Sequence, residues 1–157
     1  MDSLKERKND IMPITDHSEL ESLPGVVDRY YTASNDLLKS NDPEYQDSST
    51  NWTKIKEIQV PGGVVGSEFR IKFDMMKFAG AGSTYAKIYV NGIARGTEYG
   101  RSVATWSTKS DDINGIMALD LIQLYVKNDS GVTGKFKNFR VYGALQEAYS
   151  SDAPDWS

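Results

Sequence analysis

Short runs of alternating apolar and polar residues dominate the middle of this chain. The run YAKIYV, residues 85–90, puts Ala86, Ile88 and Val90 on one face of a strand. Two tyrosines and a lysine fall on the other face. A period of two is typical of a strand that is buried on one side and exposed to solvent on the other.

This run predicts one arm of a β-hairpin. It is followed by Asn91-Gly92 and then by IARGTEY, which ends at Tyr99. A two-residue type I′ turn needs positive φ at both central positions, and Asn-Gly is the pair that adopts it most readily. We therefore expect a hairpin over residues 85–99, with the rest of the domain arranged around it.

Further strands are predicted on both sides of the hairpin. Turn signals separate them at Pro61-Gly62-Gly63, Gly80–Ser83 and Asn128–Gly131. About seven short strands with almost no helical periodicity predict an all-β protein. The specific expectation is an antiparallel β-sandwich of jelly-roll type, with strands at residues 53–60, 67–78, 85–90, 93–99, 102–110, 121–127 and 135–143.

The chain also contains an internal repeat. The pattern E-Y-x-x-S-x-x-x-W begins at Glu44 and again at Glu98, and it ends at Trp52 and Trp106. Each copy is followed by an alternating apolar strand, an aromatic-rich strand and a glycine. This order predicts two three-stranded units packed face to face, because each unit has one apolar face that it cannot bury alone. The two tryptophans would then be equivalent, either as core or rim residues or as stacking platforms for a sugar.

Composition divides the chain into three parts. Residues 1–35 are charged and interrupted by prolines, which predicts a partly ordered N-terminal arm or an assembly arm that reaches a neighbouring subunit. Residues 36–143 form the predicted β-sandwich domain. Residues 144–157 are acidic and serine-rich and are predicted to be a C-terminal tail.

Charge and composition exclude several classes of function. The net charge is −4 and no basic block occurs, so a nucleic-acid partner is not expected. The absence of cysteine removes zinc–thiolate sites and cysteine nucleophiles. No apolar run is long enough to insert into a membrane, and no signal peptide is visible at the N-terminus. These features favour a virion or extracellular location without a conventional leader.

Catalytic chemistry is not predicted. The single histidine, His17, lies in the irregular arm, which cannot position a catalytic triad. No nucleophile elbow, phosphate-binding loop or metalloprotease motif occurs, so no catalytic, cofactor-binding or metal residue is assigned. Asp111-Asp112 beside Asn114-Gly115 could offer oxygen ligands to Ca²⁺, although a solvated turn fits this pattern better.

Exposed side chains are therefore the candidates for function. Tyrosine and tryptophan on a flat β surface stack on sugars or form the centre of a subunit interface. We expect the aromatic candidates to lie near one another on the outer side of the hairpin sheet, with basic side chains among them. The candidate interface or glycan contacts are Tyr85, Tyr89, Tyr99, Trp106, Arg95 and Arg101.

From about residue 53 to 143 the chain resembles a known type of β-sandwich. The strand SEFRIKFDM, the hairpin AKIYVNGIARGT, Trp106 ahead of a polar strand, LIQLYVKND and KFKNFRVYG resemble jelly-roll modules of the carbohydrate-binding, galactose-binding-domain-like type. The lead-in TASNDLLKSND followed by KIKEIQV is similar to β-sandwich modules of virion proteins, in the tail, fibre or capsid-decoration components of tailed phages or archaeal viruses.

The resemblance implies two functions. The first is a non-enzymatic virion structural protein that works as a homo-oligomer or docks to other structural proteins. The second is a carbohydrate-binding module or lectin-like domain that recognises a glycan through its exposed aromatic side chains. The sequence favours the first, since the long N-terminal arm and the absence of a visible leader suit a virion component.

Overall fold

A computed structural model describes residues 26–149. Within them the chain forms ten strands and no helix. The strands are β1 (Val26–Asn41), β2 (Tyr45–Asp47), β3 (Thr53–Gln59), β4 (Ser67–Ala79), β5 (Thr84–Val90), β6 (Ile93–Ala94), β7 (Tyr99–Arg101), β8 (Ser107–Ile116), β9 (Leu121–Asn128) and β10 (Thr133–Tyr149).

The strands form two five-stranded sheets. Sheet I has the order β1-β10-β4-β8, with β2 paired to β10. Sheet II has the order β3-β9-β5-β6, with β7 paired to β5. The pairs β3–β9, β9–β5, β4–β8 and β4–β10 are all antiparallel. The predicted all-β antiparallel sandwich is therefore confirmed.

The apolar faces of the two sheets form one hydrophobic core. Strands β4 and β5 alternate strictly between buried and half-buried residues over most of their length, as the period of two predicts. Sheet I contributes the largest fully buried side chains, and sheet II contributes mainly isoleucine, leucine and valine. The principal core residues are Phe69, Phe73, Phe136 and Phe139 from sheet I, and Ile88, Ile122, Leu124 and Val126 from sheet II.

Residues Tyr30–Gln146 make up one compact unit, which contains this core. The described residues of a second unit are 26–29 and 147–149, where Arg29 pairs with Glu147 at 3.4 Å. Strand β1 begins before residue 36 and β10 continues past residue 143, so strands extend beyond both predicted domain boundaries. Most of the predicted arm and tail, residues 1–25 and 150–157, lies outside the described residues, as does His17.

The internal repeat is present in the topology. Strands β2, β3 and β4 each begin 54 residues before β7, β8 and β9. The pairings correspond as well: β3–β9 matches β8–β4, β9–β5 matches β4–β10, and β7–β5 matches β2–β10. In one respect the structure differs from the expectation. The two copies do not form separate layers, because each of these pairings joins a strand of one copy to a strand of the other.

The hairpin forms, but its second arm is shorter than predicted. Asn91 and Gly92 have φ values of 51° and 81°, as a type I′ turn requires. Only Ile93–Ala94 then pairs with β5, because the backbone N–H groups of Arg95 and Gly96 both bond to the Ile88 carbonyl and end the ladder. Strand β7 pairs separately with the beginning of β5.

A second correction concerns the strand predicted at residues 102–110. Residues 102–106 are not in a strand, and β8 begins at Ser107. The Arg101 guanidinium closes this loop by donating to the Thr105 carbonyl at 3.1 Å and to its hydroxyl at 2.7 Å. Among residues 26–149, no helix is long and apolar enough to cross a membrane.

Candidate functional site

The outer face of sheet II carries a group of four aromatic rings. Strands β5 and β9 lie side by side with Lys87 opposite Tyr125 and Tyr89 opposite Gln123, so Tyr89 and Tyr125 are diagonal neighbours. Their rings stack at 3.8 Å with 19° between the planes. Trp52, just before β3, tilts against Tyr89 at 6.5 Å. Together with Tyr85 these rings are called the aromatic cluster: Trp52, Tyr85, Tyr89 and Tyr125.

Two lysines are held over these rings. The ammonium of Lys127 lies 5.0 Å from the centre of the Trp52 ring and 5.5 Å from that of Tyr85. Lys87 lies 5.6 Å from the centre of the Trp52 ring. A cation near a ring face is attracted by the ring quadrupole. Lys87 also pairs with Glu98 at 3.8 Å, whereas Lys127 has no carboxylate within salt-bridge distance among the described residues.

An open cleft of about 560 Å³ adjoins the aromatic cluster. Tyr85 belongs to both, and Lys127 lines the cleft while its ammonium lies over the Trp52 and Tyr85 rings, so the cleft and the cluster form one continuous surface. The lining combines one aromatic ring with carboxylate, amide, hydroxyl and ammonium groups. The lining residues are Thr50, Tyr85, Glu98, Lys127, Asn128, Asp129 and Ser130.

Hydrogen bonds hold the base of the cleft in place. Asn128 is only 3% exposed, and its Nδ2 donates to Asp47 Oδ2 and to the Ser49 carbonyl, each at 3.0 Å. Its Oδ1 is buried without a hydrogen-bond partner in residues 26–149. Asp129 Oδ2 accepts the backbone N–H of Ser83 at 2.8 Å. The turn after β9 is therefore tied to the turn before β5, which fixes the shape of the cleft.

One carboxylate on this face has a perturbed pKa. Glu57 Oε1 accepts hydrogen bonds from the Lys54 ammonium at 2.7 Å and from Gln123 Nε2 at 3.0 Å. Because both donors favour the charged form, they hold the pKa of Glu57 below its ordinary value. Glu57 is therefore an ionised, oriented acceptor at the edge of the aromatic cluster.

The structure brings together two of the four predicted aromatic candidates. Tyr85 and Tyr89 both lie on the outer face of β5, as expected. Tyr99 does not join them, since its ring packs edge-on against the core residue Phe73 at 6.1 Å. Its hydroxyl donates to Asp111 Oδ1 at 2.9 Å, and burial together with this carboxylate raises the pKa of Tyr99. Tyr99 therefore joins the two sheets at their edge.

Trp106 and the two arginines lie elsewhere. Trp106 stacks with the Lys137 ammonium of β10, 4.2 Å from the ring centre, so it belongs to sheet I. Arg101 is engaged within its own loop. Arg95 donates to the backbone carbonyl of Asn114 in β8. The expectation of a single surface shared by all six residues is therefore wrong. Trp106 lies beside sheet I, Tyr99 packs against the core, and each arginine is held by its own backbone partner.

Two members of the aromatic cluster, Tyr125 and Trp52, are not among the site residues predicted from the sequence. Tyr125 lies between Leu124 and Val126, so the period of two places it on the outer face of β9, where it could have been identified. Trp52 was expected mainly in the core or rim. Its position over β5 depends on the pairing β3–β9–β5, which the sequence does not specify.

The two carboxylates considered for calcium have separate protein partners. Asp111 accepts from the backbone N–H of Thr97 and from the Tyr99 hydroxyl. Asp112 forms a two-point ion pair with Arg70 at 2.9 and 3.1 Å. Residues 26–149 hold no group of three or more acidic or histidine side chains that could bind a metal. A calcium site stays an untested prediction.

Comparison with known proteins identifies no family. No family model matches the sequence, and no curated protein is significantly similar to it. Among solved structures, the chain is similar to the EclA C-terminal domain, a sugar-binding protein, at 12% identity and a TM-score of 0.49, over 71% of this chain and 81% of that one. It is also similar to the C-terminal CBM6 of LamC, a marine laminarinase from Zobellia galactanivorans, at 17% identity and a TM-score of 0.39, over 68% and 92%.

Proposed function

We propose that this protein is a non-catalytic carbohydrate-binding module. The observation that carries the proposal is the continuous surface on sheet II, where a polar cleft opens directly beside the aromatic cluster. This was the second of the two functions considered from the sequence. The arrangement of aromatic and polar side chains on this surface supports it over the assembly function.

The side chains of this surface match the chemistry of a sugar. A pyranose ring has an apolar C–H face, which aromatic rings bind, and a rim of hydroxyls that both donate and accept. In the cleft, Glu98 and Asp129 are acceptors, Lys127 is a donor, and the hydroxyls of Thr50 and Ser130 can be either. Ligand sites of this kind combine an apolar wall with a few positioned polar groups.

The carboxylates of the cleft are proposed to bind rather than to catalyse. Asp129 is occupied by the backbone of the neighbouring turn, and Glu98 faces Lys87. A glycosidase needs one carboxyl group as a proton donor and a second as a nucleophile or base. Two carboxylates that already have partners suit the role of fixed acceptors. An extracellular location, where polysaccharides are met, follows from the proposal.

The assembly function remains an alternative prediction. The same aromatic cluster could form the centre of a protein interface, because tyrosine and tryptophan are enriched there. Four large apolar side chains are also exposed in the loops between strands: Val65, Val103, Met117 and Leu119. No observation on the described residues is specific to a virion, and neither similar structure is described as a virion protein.

The test is a glycan array probed with the full chain, followed by titration calorimetry on each hit. Tyr85→Ala and Trp52→Ala should weaken binding at least roughly tenfold, since an aromatic contact with a ligand contributes on the order of 1–2 kcal/mol. Trp106→Ala is the matched control, because this tryptophan occupies the equivalent position of the repeat on the other sheet. It should leave affinity unchanged.

Several outcomes would overturn the proposal. The proposal would be refuted if the protein bound no glycan, or if Trp52→Ala and Trp106→Ala lowered the affinity for glycan equally. Release of reducing sugar from a bound polysaccharide would show an enzyme instead. Light scattering on the same samples separates the assembly alternative, which predicts an oligomer that dissociates in the Tyr85 and Trp52 variants.

A further inference from the structure

The chain contains the tripeptide Asn-Gly-Ile twice, at residues 91–93 and 114–116. Asparagine followed by glycine can lose its side-chain amide without an enzyme, because the glycine backbone nitrogen meets no steric barrier when it attacks the side-chain carbonyl carbon. The two sites share the same local sequence, so any difference in their reactivity must come from the fold.

At the first site, every group that would react is held by a hydrogen bond. Asn91 Nδ2 donates to Asp120 Oδ1 at 2.9 Å, and Asn91 Oδ1 accepts the backbone N–H of Leu121 at 2.9 Å. The attacking nitrogen, that of Gly92, donates to Gln123 Oε1 at 2.8 Å. Gln123 is only 5% exposed, so this acceptor is itself fixed. Ring closure at Asn91 would have to break all three bonds.

The second site lies in an irregular stretch of an edge strand. Strand β8 is the outer strand of sheet I, and its register with β4 shifts between the pairs Ser67–Ile116 and Phe69–Ile113. Asn114 and Gly115 fall in this bulge, and Gly115 has a φ of 68°. Asn114 is exposed, and its side-chain amide has no hydrogen-bond partner within residues 26–149.

A positive charge also acts on the second site. Arg95 Nη2 donates to the backbone carbonyl oxygen of Asn114. This carbonyl belongs to the same peptide group as the Gly115 nitrogen. A charged donor on the oxygen withdraws electron density from the group and makes its N–H more acidic, which favours the deprotonated nitrogen that attacks.

From these contacts we infer that Asn114 is a site of spontaneous deamidation activated by Arg95, and that Asn91 is protected. The Gly115 nitrogen loses its proton to hydroxide and bonds to Cγ of Asn114. The Cγ–Nδ2 bond breaks, and ammonia leaves after taking a proton from water, which yields a cyclic imide. Water then adds to one imide carbonyl and opens the ring to aspartate or isoaspartate.

Arg95 also favours one of the two products. When water opens the ring at the former main-chain carbonyl, the chain continues through Cγ and a free α-carboxylate remains. This carboxylate forms where Arg95 already donates, so the guanidinium pairs with it. The isoaspartate product adds one methylene to the main chain between the buried residues Ile113 and Ile116, and therefore alters the edge of sheet I.

The experiment is timed incubation of the full chain at mildly alkaline pH, followed by peptide mapping with mass spectrometry and enzymatic detection of isoaspartate. In the folded protein, Asn114 should convert at least roughly tenfold faster than Asn91, whose reacting groups are held by three hydrogen bonds. In concentrated urea the two sites should convert at similar rates. Equal rates in the folded protein, or a folded Asn114 slower than the urea-unfolded one, would overturn the inference.

A variant tests the part played by Arg95. Arg95→Gln should slow conversion at Asn114 in the folded protein and lower the isoaspartate fraction, while rates in urea stay unchanged. Arg95→Lys keeps the charge and should retain part of the effect. If Arg95→Gln leaves both the folded rate and the product ratio unchanged while the fold is intact by circular dichroism, activation by Arg95 is refuted.

Discussion

The ammonium group of Lys56 donates to both oxygens of Asn41, at 2.9 Å to the backbone carbonyl and at 3.1 Å to Oδ1. It also donates to the carbonyl of Pro43. Lys56 is only 6% exposed and lies where the register of β3 with β9 is shifted. The buried Lys56 ammonium thus donates to three oxygens at and just after the end of β1. Burial lowers the pKa of this ammonium.

Lys56→Met should therefore destabilise the protein strongly. Methionine keeps the length of the side chain but leaves three oxygens without their donor, which costs about 2–4 kcal/mol in the free energy of unfolding. Guanidinium chloride denaturation measures this. Lys54→Met is the control, because Lys54 is exposed and its pair with Glu57 lies at the surface. A loss in the control as large as that in Lys56→Met would contradict the explanation.

Stability should fall in acid through the surface ion pairs. Arg140 donates to both carboxylate oxygens of Asp42, at 2.8 and 3.0 Å, and holds the pKa of Asp42 below its ordinary value. The contribution of a carboxylate with a depressed pKa is complete above its unfolded value near 4 and is lost as pH falls through the folded value. The effect is below about 1 kcal/mol, because both side chains are partly exposed.

Urea denaturation at several pH values between neutrality and strong acid tests this. Arg140→Gln should lower stability at neutral pH and flatten the acid dependence, since the variant loses the hydrogen bonds that do most to lower the pKa of Asp42. An unchanged slope in Arg140→Gln would show that this pair does not contribute.

Gly134 of sheet I packs closely against two residues of sheet II, Thr84 and Asn128. A Cβ atom at this position would lie 2.2 Å from Thr84 Oγ1 and 3.0 Å from Asn128 Oδ1. Gly134→Ala should therefore cost about 1–3 kcal/mol by overpacking. It should also weaken the proposed glycan binding, because it displaces Asn128 at the base of the cleft. Gly66→Ala is the control, with only Met117 Sδ nearby at 3.6 Å. Thermal unfolding of the two variants should differ clearly, and equal transitions would refute the steric account.

Leu119 has a backbone conformation that leucine rarely adopts. Its φ is 66° and its side chain is 57% exposed. Leu119→Asn should stabilise the protein by up to about 1 kcal/mol, since asparagine tolerates the left-handed region. Leu37→Asn is the matched control, because Leu37 is 52% exposed in β1 and has no positive φ. The control should gain nothing, and a gain of similar size in both variants would show that the effect comes from removing an exposed apolar side chain and not from the backbone conformation.

The local pattern of the chain predicted strands β3, β4, β5 and β9 and the turn between β5 and β6, but it did not predict β1 or β2. Alternation in β4 and β5 identified which side chains are buried, because burial on one face of a strand requires a period of two. Asn91-Gly92 specified its turn because few residue pairs accept positive φ twice. Even Tyr125 could be assigned to an outer face from its neighbours Leu124 and Val126.

Only the tertiary structure determined which side chains lie together on the same outer face. The repeat made Trp52 and Trp106 look equivalent, yet they lie on opposite sheets, because strands of the two copies pair with each other. The pairing of β3, β9 and β5 brings Trp52 to Tyr89 and Lys127. Strand order depends on contacts between residues far apart in the chain, and a local pattern of two faces does not encode them. The sequence by itself therefore determined the sandwich, while the site depends on how the two copies interleave.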